Sequence, residues 1–162
     1  MDYTKKYKRI VDSLIKKSFP ELRDKKLFVT ETSEVKERYS AMVIKLLIFS
    51  WIRVNKRCRK YSNKAVMALF AHELAHQDII KRMNFSEMIS YFWLWPFSWR
   101  RRADFENRTD KLVIEKGYAR GLSALVKESF IGKSKKFIEH RRKMRYLFPE
   151  EIKSYAKKIG KW

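Results

Sequence analysis

The sequence predicts a single α+β domain, and three observations support that prediction. The chain has 162 residues, the usual size of one domain. Its apolar content of 45% and aromatic content of 15% are typical of a chain with a packed core rather than a disordered one. The order of the patterned segments is one helix, then strands, then several helices, which is typical of α+β domains.

The N-terminal part is predicted to hold one helix and three strands. Apolar residues recur every three or four positions over 3–19, and Phe19-Pro20 ends that helix. The segment 26–30 (KLFVT) is rich in residues that favour strands. The segment 39–54 is richer still but too long for one strand, so we expect two strands there, although no Gly, Pro or Asn marks a turn.

From residue 61 onward the pattern becomes helical. Ser62 is a suitable N-cap for a helix that runs to about Met83. The next helix is predicted from Arg102 to Lys116, because Gly117 occupies the position where a helix usually stops. Three further helices are predicted over 119–130, 135–148 and 150–159.

The chain carries a large excess of positive charge. Its 39 Lys and Arg against 18 Asp and Glu give a net charge of +21, which favours contact with phosphate, anionic lipid or acidic protein. No nucleic-acid-binding motif accompanies this charge, so we do not predict a nucleic-acid partner. The single cysteine, Cys58, cannot form an internal disulfide, and the charged N-terminus lacks the apolar region of a signal peptide. We therefore expect a cytoplasmic chain.

The aromatic segment Phe92–Trp99 has three interpretations. It packs as core beneath the basic helices, it anchors the chain at a membrane surface beside Arg100–Arg102, or it forms a homodimer contact. The longest uncharged stretch, 88–99, is shorter than the roughly 20 residues that a membrane span needs. Any membrane contact is therefore expected to be peripheral.

The most informative motif is His72-Glu73-Leu74-Ala75-His76, which matches the pattern HExxH. On a helix, the i, i+4 spacing places both imidazoles on one face, where they can bind one zinc ion. Glu73 is offset from that pair, so its carboxylate can take a proton from a water at the open position of the metal. With three His and a dozen Glu in the chain, this order arises by chance in only about 0.4% of shuffled sequences.

A catalytic zinc site needs a third protein ligand. Glu106 is favoured, because Asp110 follows it one helical turn later and can accept the second N–H of a zinc-bound histidine. An ordinary solvated acidic face remains the alternative for this pair. The other candidates for the third ligand are Glu87, Asp104, Asp110, Glu115 and His140.

HELAH at 72–76 followed by ENRTD at 106–110 resembles the gluzincin metallopeptidases, whose pattern is HExxH followed by Glu-x-x-(Ala/Ser/Thr)-Asp. The likeness is closer to catalytic domains of the CAAX prenyl endopeptidase and HtpX type, in which a Gly-Tyr step (here Gly117-Tyr118) precedes an Ala-Leu-rich helix. The small size makes the chain similar to the soluble versions called minigluzincins. The resemblance covers roughly residues 26–130 and is specific at the two metal motifs only.

This resemblance implies a zinc-dependent endopeptidase with one zinc ion per chain. His72, His76 and Glu106 would be the ligands, Glu73 the general base and acid, and Asp110 the partner of a ligating histidine. It also implies a three-stranded sheet over the active-site helix, with an edge strand that pairs with an extended peptide substrate. Residues 1–132 would form the catalytic domain, and 133–162 a basic helical extension packed on it. The extension either caps the core or blocks the cleft and keeps a zymogen latent.

His140 is a second candidate for chemistry. Some minimal members of the family are described with a histidine as third ligand, and His140 lies 34 residues beyond Glu106. Its surroundings loosely resemble a late His-containing segment of the membrane-type domains, where the histidine would polarise the substrate carbonyl. The expected Pro is missing here, so the interpretations as a catalytic residue, a surface histidine and a metal or latency residue all stay open.

Overall fold

The chain opens with helix α1 (Tyr3–Ser18), which a short 3-10 helix at Pro20–Leu22 follows. The computed structural model describes residues 2–33, 40–45, 49–94 and 98–162, and the side chains of 42–45 and 90–94 lie outside that description. Asp2 caps α1 by accepting the N–H of Lys5 at 3.2 Å. The apolar side of α1 is buried through Tyr7, Val11 and Leu14.

Three strands form one sheet in the order β1-β3-β2. They are β1 (Lys26–Thr32), β2 (Ala41–Lys45) and β3 (Phe49–Asn55). β1 runs parallel to β3 with Lys26 opposite Phe49, whereas β2 runs antiparallel to β3 with Ala41 opposite Val54. Alternate residues of β1 and β3 enter the core, as expected for a half-buried sheet. These inward residues are Leu27, Val29, Ser50, Ile52 and Val54.

Helix α2 (Asn63–Lys81) is the central helix of the domain. It contacts α1, α4, α5 and the strand β2, so it is buried around most of its circumference. Its N-cap is Ser62, whose hydroxyl accepts the N–H of Ala65 at 3.4 Å. The helices that follow are α3 (Phe85–Leu94), α4 (Trp99–Glu115), α5 (Ala119–Phe130), α6 (Lys135–Lys143) and α7 (Pro149–Lys158).

The C-terminal residues belong to the same core as the rest of the domain. α7 packs against α4 and α5 and buries Ile152 and Ala156 completely. α6 differs, because it contributes no fully buried residue. The predicted single α+β domain is thus confirmed. Within the described part of the chain, no helix combines the length and the apolar character needed to cross a membrane.

Some predicted boundaries need correction. The helix expected over 135–148 ends at Lys143, because Arg145 adopts a left-handed conformation (φ 53°) that a helix cannot continue through. α4 begins at Trp99, three residues earlier than predicted, with Ser98 as its N-cap. α3 is a helix in a segment for which we predicted no element. Of the aromatic segment Phe92–Trp99, the side chains of 92–97 lie outside the described residues, and Trp99 is 41% exposed.

Candidate metal centre

Two helices bring three potential metal ligands to one point. His72 and His76 lie one turn apart on α2, with ring centroids 4.6 Å apart and ring planes at 87°. Glu106 projects from α4, which packs against α2. One ligand atom from each of these three residues lies within 4.8 Å of the other two, so the cluster could hold a metal ion.

The distances in this cluster suit a tetrahedral ion. Oε2 of Glu106 lies 3.3 Å from Nε2 of His72 and 3.5 Å from Nε2 of His76. Ligand bonds of about 2.0–2.1 Å at tetrahedral angles place neighbouring donor atoms about 3.3–3.4 Å apart. Oε2 of Glu106 is also buried without a hydrogen-bond partner among the described residues. A buried acceptor without a partner is costly, and a bound cation would remove that cost.

The other nitrogen of each histidine is engaged by α4. Nδ1 of His72 lies 3.0 Å from Oδ1 of Asp110. Nδ1 of His76 lies 3.1 Å from the hydroxyl of Thr109, which donates its own proton to the carbonyl of Phe105 at 2.8 Å. The Thr109 oxygen therefore accepts the N–H of His76. Both rings are held so that Nε2 faces Glu106, as the metal-ligating histidines of known sites are held by their outer partners.

In the cluster, the acidic groups favour the protonated form of His72, and the imidazoles favour the ionised form of Glu106. Burial alone lowers the pKa of His72, but the hydrogen bond to Asp110 and the negative charges of Asp110 and the adjoining Glu106 outweigh burial and raise that pKa to about 10. Burial alone raises the pKa of Glu106, yet the two imidazoles hold it well below its usual value. Without a metal, the cluster is thus an ionised Glu106 carboxylate beside a protonated His72. Metal binding would displace the proton on Nε2 of His72.

A segment beyond α6 also contacts the centre. The ring of Tyr146 stacks on His72 with centroids 6.3 Å apart, and its hydroxyl lies beside the Glu106 carboxylate, whose charge acts on it. Burial, followed by the charge of Glu106, raises the pKa of Tyr146 well above its usual value, so this phenol stays protonated. The N–H of Leu147 donates to Oδ2 of Asp110 at 2.9 Å. On the other side, Phe105 stacks on His76 at 5.0 Å.

The other two predicted site residues, Glu73 and His140, are not among the three described residues whose ligand atoms converge. Glu73 follows His72 in α2 and is buried, with 8% of its surface exposed. His140 is exposed in the last turn of α6, and it is not one of the three residues whose ligand atoms converge in the described part of the chain. Its role as a catalytic residue stays a prediction.

The three other acidic candidates for the third ligand make contacts of their own. Glu87 accepts the N–H of Asn84 at 3.0 Å, near the start of α3. Asp104 pairs with Arg145. Glu115 accepts the hydroxyl of Tyr155 at 2.8 Å. Glu106 is therefore the acidic candidate that joins the two histidines.

Sequence reasoning missed three groups of the centre: Thr109, Tyr146 and the N–H of Leu147. Thr109 had a signal, because it lies three residues after Glu106 on the same helical face. Tyr146 had none, since a tyrosine 40 residues from Glu106 in a basic segment looks like an ordinary surface residue. A backbone N–H carries no sequence signal at all.

Comparison with known proteins assigns no family: no protein-family model, curated protein or solved structure matches this chain. Function is therefore inferred from the chemistry of the centre. Two imidazoles, each held by an outer partner, and a carboxylate form a ligand set that can bind one divalent cation once the proton on Nε2 of His72 has left.

Proposed function

We propose that this protein is a zinc-dependent endopeptidase of the gluzincin type. The observation that carries the proposal is the convergence of His72, His76 and Glu106, with Oε2 of Glu106 3.3 Å and 3.5 Å from Nε2 of the two histidines. Two histidines and one glutamate are a known ligand set of catalytic zinc sites, which keep the fourth position open. Calcium and magnesium prefer sites made of oxygen ligands alone, so the two imidazoles favour zinc.

When bound there, zinc would lower the pKa of a water at its open position and polarise the carbonyl of the scissile peptide bond. Glu73 accepts the proton of that water as general base and then delivers it to the leaving amine as general acid. Its place in α2, directly after His72 and shielded from solvent, suits this role. Asp110 and Thr109 keep the two ligating rings in place throughout.

An extended peptide is the substrate class that the fold favours. β2 lies at one edge of the sheet, and it contacts α2, the helix that carries the HExxH motif. A peptide added to this edge would gain main-chain hydrogen bonds while its scissile bond approaches the centre. The same edge accepts many sequences, so specificity would come from the side-chain pockets.

The test compares the wild type with Glu73→Gln and with Glu115→Gln, a control that changes a glutamate of α4 away from the cluster. Zinc content is measured by elemental mass spectrometry, and turnover with a library of quenched fluorogenic peptides. We expect about one zinc in all three proteins and at least about 100-fold slower cleavage in Glu73→Gln alone. A wild type that binds no zinc, or a Glu73→Gln protein that cleaves at the wild-type rate, contradicts the proposal.

A second candidate function is a latent form of the same enzyme. The observation that favours it is Tyr146, whose ring stacks on His72 and whose hydroxyl lies beside the Glu106 carboxylate, so that in a latent form it would cover one side of the cluster. In that case the wild type binds zinc but cleaves no peptide, and Tyr146→Gly at saturating zinc gains activity. If Tyr146→Gly at saturating zinc is no more active than the wild type, Tyr146 does not block the cleft.

A further inference from the structure

Three consecutive residues that follow α6 each make a contact with the helix that carries Glu106. The carbonyl of Arg145 accepts an N–H of Asn107 at 3.2 Å. The ring of Tyr146 stacks on His72 with its hydroxyl beside Glu106, and the N–H of Leu147 donates to Asp110. We propose that Tyr146 and the Leu147 N–H are positioning groups of the metal centre, so that metal affinity depends on this C-terminal segment and metal binding in turn secures the segment. This inference rests on the metal site of the proposed function.

The turn at Arg145 redirects the chain after α6, so that the residues that follow can contact α4. Arg145 adopts the left-handed conformation that residues with a side chain seldom use. Asp104 pairs with its guanidinium and Asn107 with its carbonyl, so two residues of α4 hold the turn. A strained residue persists where its surroundings determine its conformation, and here they do so beside the cluster. The turn ends α6 and directs the next two residues onto α4.

The segment that contains Leu147 also completes the hydrogen bonding of Asp110, the partner of His72. The Asp110 carboxylate is 2% exposed, with Oδ1 engaged by His72 and Oδ2 by the N–H of Leu147. A buried carboxylate needs donors for both oxygens, and loss of one donor leaves an unsatisfied charge. If the segment detaches, Asp110 keeps only its histidine partner and is free to rotate away from it. The orientation of His72 therefore depends on a backbone group about 75 residues away in the sequence.

Tyr146 acts in the same way on the ligand itself. Its hydroxyl lies beside the Glu106 carboxylate, whose Oε2 is 3.3 Å and 3.5 Å from Nε2 of the two histidines and has no hydrogen-bond partner among the described residues. A protonated phenol beside the carboxylate would favour the rotation that presents Oε2 to the metal. The guanidinium of Arg141 lies 3.4 Å from the centre of the Tyr146 ring and holds the ring in place by a cation–π contact.

Because linkage is reciprocal, each event favours the other. A metal ion that selects the ligating position of Glu106 also stabilises the Tyr146 contact, and so the docked segment. The loss of an outer partner of a metal ligand typically weakens metal binding about 10–100-fold. Loss of the Tyr146 contact should also weaken the protection from proteolysis that a bound metal gives to the basic segment 141–145.

The experiment measures the zinc dissociation constant of the full chain by competition with a chromophoric chelator. Tyr146→Phe removes the hydroxyl and keeps the ring; Tyr155→Phe is the matched control, because the Tyr155 hydroxyl bonds to Glu115 of the same helix α4. We expect Tyr146→Phe to bind zinc at least about 10-fold more weakly than the wild type, and Tyr155→Phe within about twofold. The melting temperature of the metal-free proteins should not differ between these two variants.

Limited trypsin cleavage gives an independent readout of the coupling. Zinc should slow cleavage within the basic segment 141–145 of the wild type, and should slow it less in Tyr146→Phe. A Tyr146→Phe protein with wild-type zinc affinity and wild-type protection by zinc overturns this inference and leaves the metal site standing. A wild type that binds no zinc overturns the proposed function and this inference together.

Discussion

At the scale of single residues, the orientation of each histidine ring is set by a different hydrogen-bond partner at Nδ1. Nδ1 of His72 is paired with a carboxylate, and Nδ1 of His76 with a hydroxyl that is itself committed to a backbone carbonyl. The tautomers assigned from this pattern leave Nε2 of both rings to bind a metal. The carboxylate partner is the stronger of the two because it is charged. His72 is therefore held more firmly than His76.

The Thr109 hydroxyl is expected to contribute to metal affinity. Thr109→Val keeps the shape of the side chain but leaves Nδ1 of His76 without an acceptor. We expect the zinc dissociation constant to rise about 10-fold, measured by competition with a chromophoric chelator.

Ser129→Ala is the control for Thr109→Val. Ser129 also donates its hydroxyl to a carbonyl of its own helix, that of Val126 at 2.9 Å, but it lies on α5, outside the cluster. The Ser129→Ala protein should bind zinc with the affinity of the wild type. Equal affinities of Thr109→Val and the wild type would show that Phe105, which stacks on His76, is sufficient to hold the ring.

At the scale of elements, much of this fold could be predicted because helix periodicity is a local signal. The apolar repeat over 3–19 and the Ser62 cap predicted α1 and α2 to within about two residues. The end of α6 could not be predicted, since it depends on Asp104 and Asn107 of α4, which hold the turn at Arg145. Tertiary contacts of this kind override a local pattern.

The candidate site divides in the same way. His72, His76, Glu106 and Asp110 could be proposed from the sequence because each pair is spaced by one helical turn. The contacts of Tyr146 and Leu147 could not, because they depend on how the chain returns to α4 after α6.

The packing of α2 against α5 gives a second prediction. A Cβ at Gly121 of α5 would lie 2.6 Å from the carbonyl oxygen of Lys64 and 3.1 Å from Cβ of Ala68. In an open helix, Gly→Ala stabilises by about 0.5–1 kcal/mol. Here we expect Gly121→Ala to lower the free energy of unfolding by about 1–3 kcal/mol, because the backbone of α2 must move away. Urea denaturation measures the change.

The sign of the Gly121→Ala effect is the decisive observation. Lys127→Ala, an exposed substitution on the same helix, should change the free energy of unfolding by no more than about 0.5 kcal/mol. A stabilised Gly121→Ala protein would mean that α2 and α5 are farther apart than described.

At the scale of the whole molecule, Glu21 joins distant parts of the chain. Its carboxylate pairs with Arg82 at 2.9 Å and with Lys116 at 3.1 Å, and its carbonyl accepts a hydrogen bond from Lys81. Arg82 and Lys116 are the C-caps of α2 and α4, the two helices that carry the three candidate metal ligands. The N-terminal part of the chain is thereby fastened to the far ends of both helices.

This ionic contact predicts a loss of stability in acid. Burial acts to raise the pKa of Glu21, but hydrogen bonds from its backbone surroundings, Asp78, Lys116 and Arg82 outweigh burial and lower that pKa to about 2. A lowered folded-state pKa stabilises the protein above the unfolded-state pKa of about 4.5, and this stabilisation disappears as pH falls toward 2. Burial and the charge of Glu21 raise the pKa of Asp78, which offsets part of the gain.

We expect Glu21→Gln to be about 1 kcal/mol less stable than the wild type at pH 7, after allowance for solvent screening of a side chain that is 24% exposed. The difference should narrow as pH falls from 4.5 to 2.5. Urea denaturation at each pH measures it, and Glu139→Gln, at an exposed position of α6, is the control. A difference that stays constant over this pH range would assign the effect to packing instead of charge.

The hydrogen bond between Leu147 and Asp110 also sets an order of events during synthesis. His72, His76 and Glu106 leave the ribosome before Leu147 does, with about 40 residues between Glu106 and Leu147. At roughly 5–20 residues per second, translation of that stretch takes about 2–8 s. During this interval the nascent chain has its three ligand residues but lacks the amide that fixes Asp110. The centre is therefore completed only once Leu147 has emerged, so a nascent chain that stops short of Leu147 would bind a metal more weakly than one that includes it.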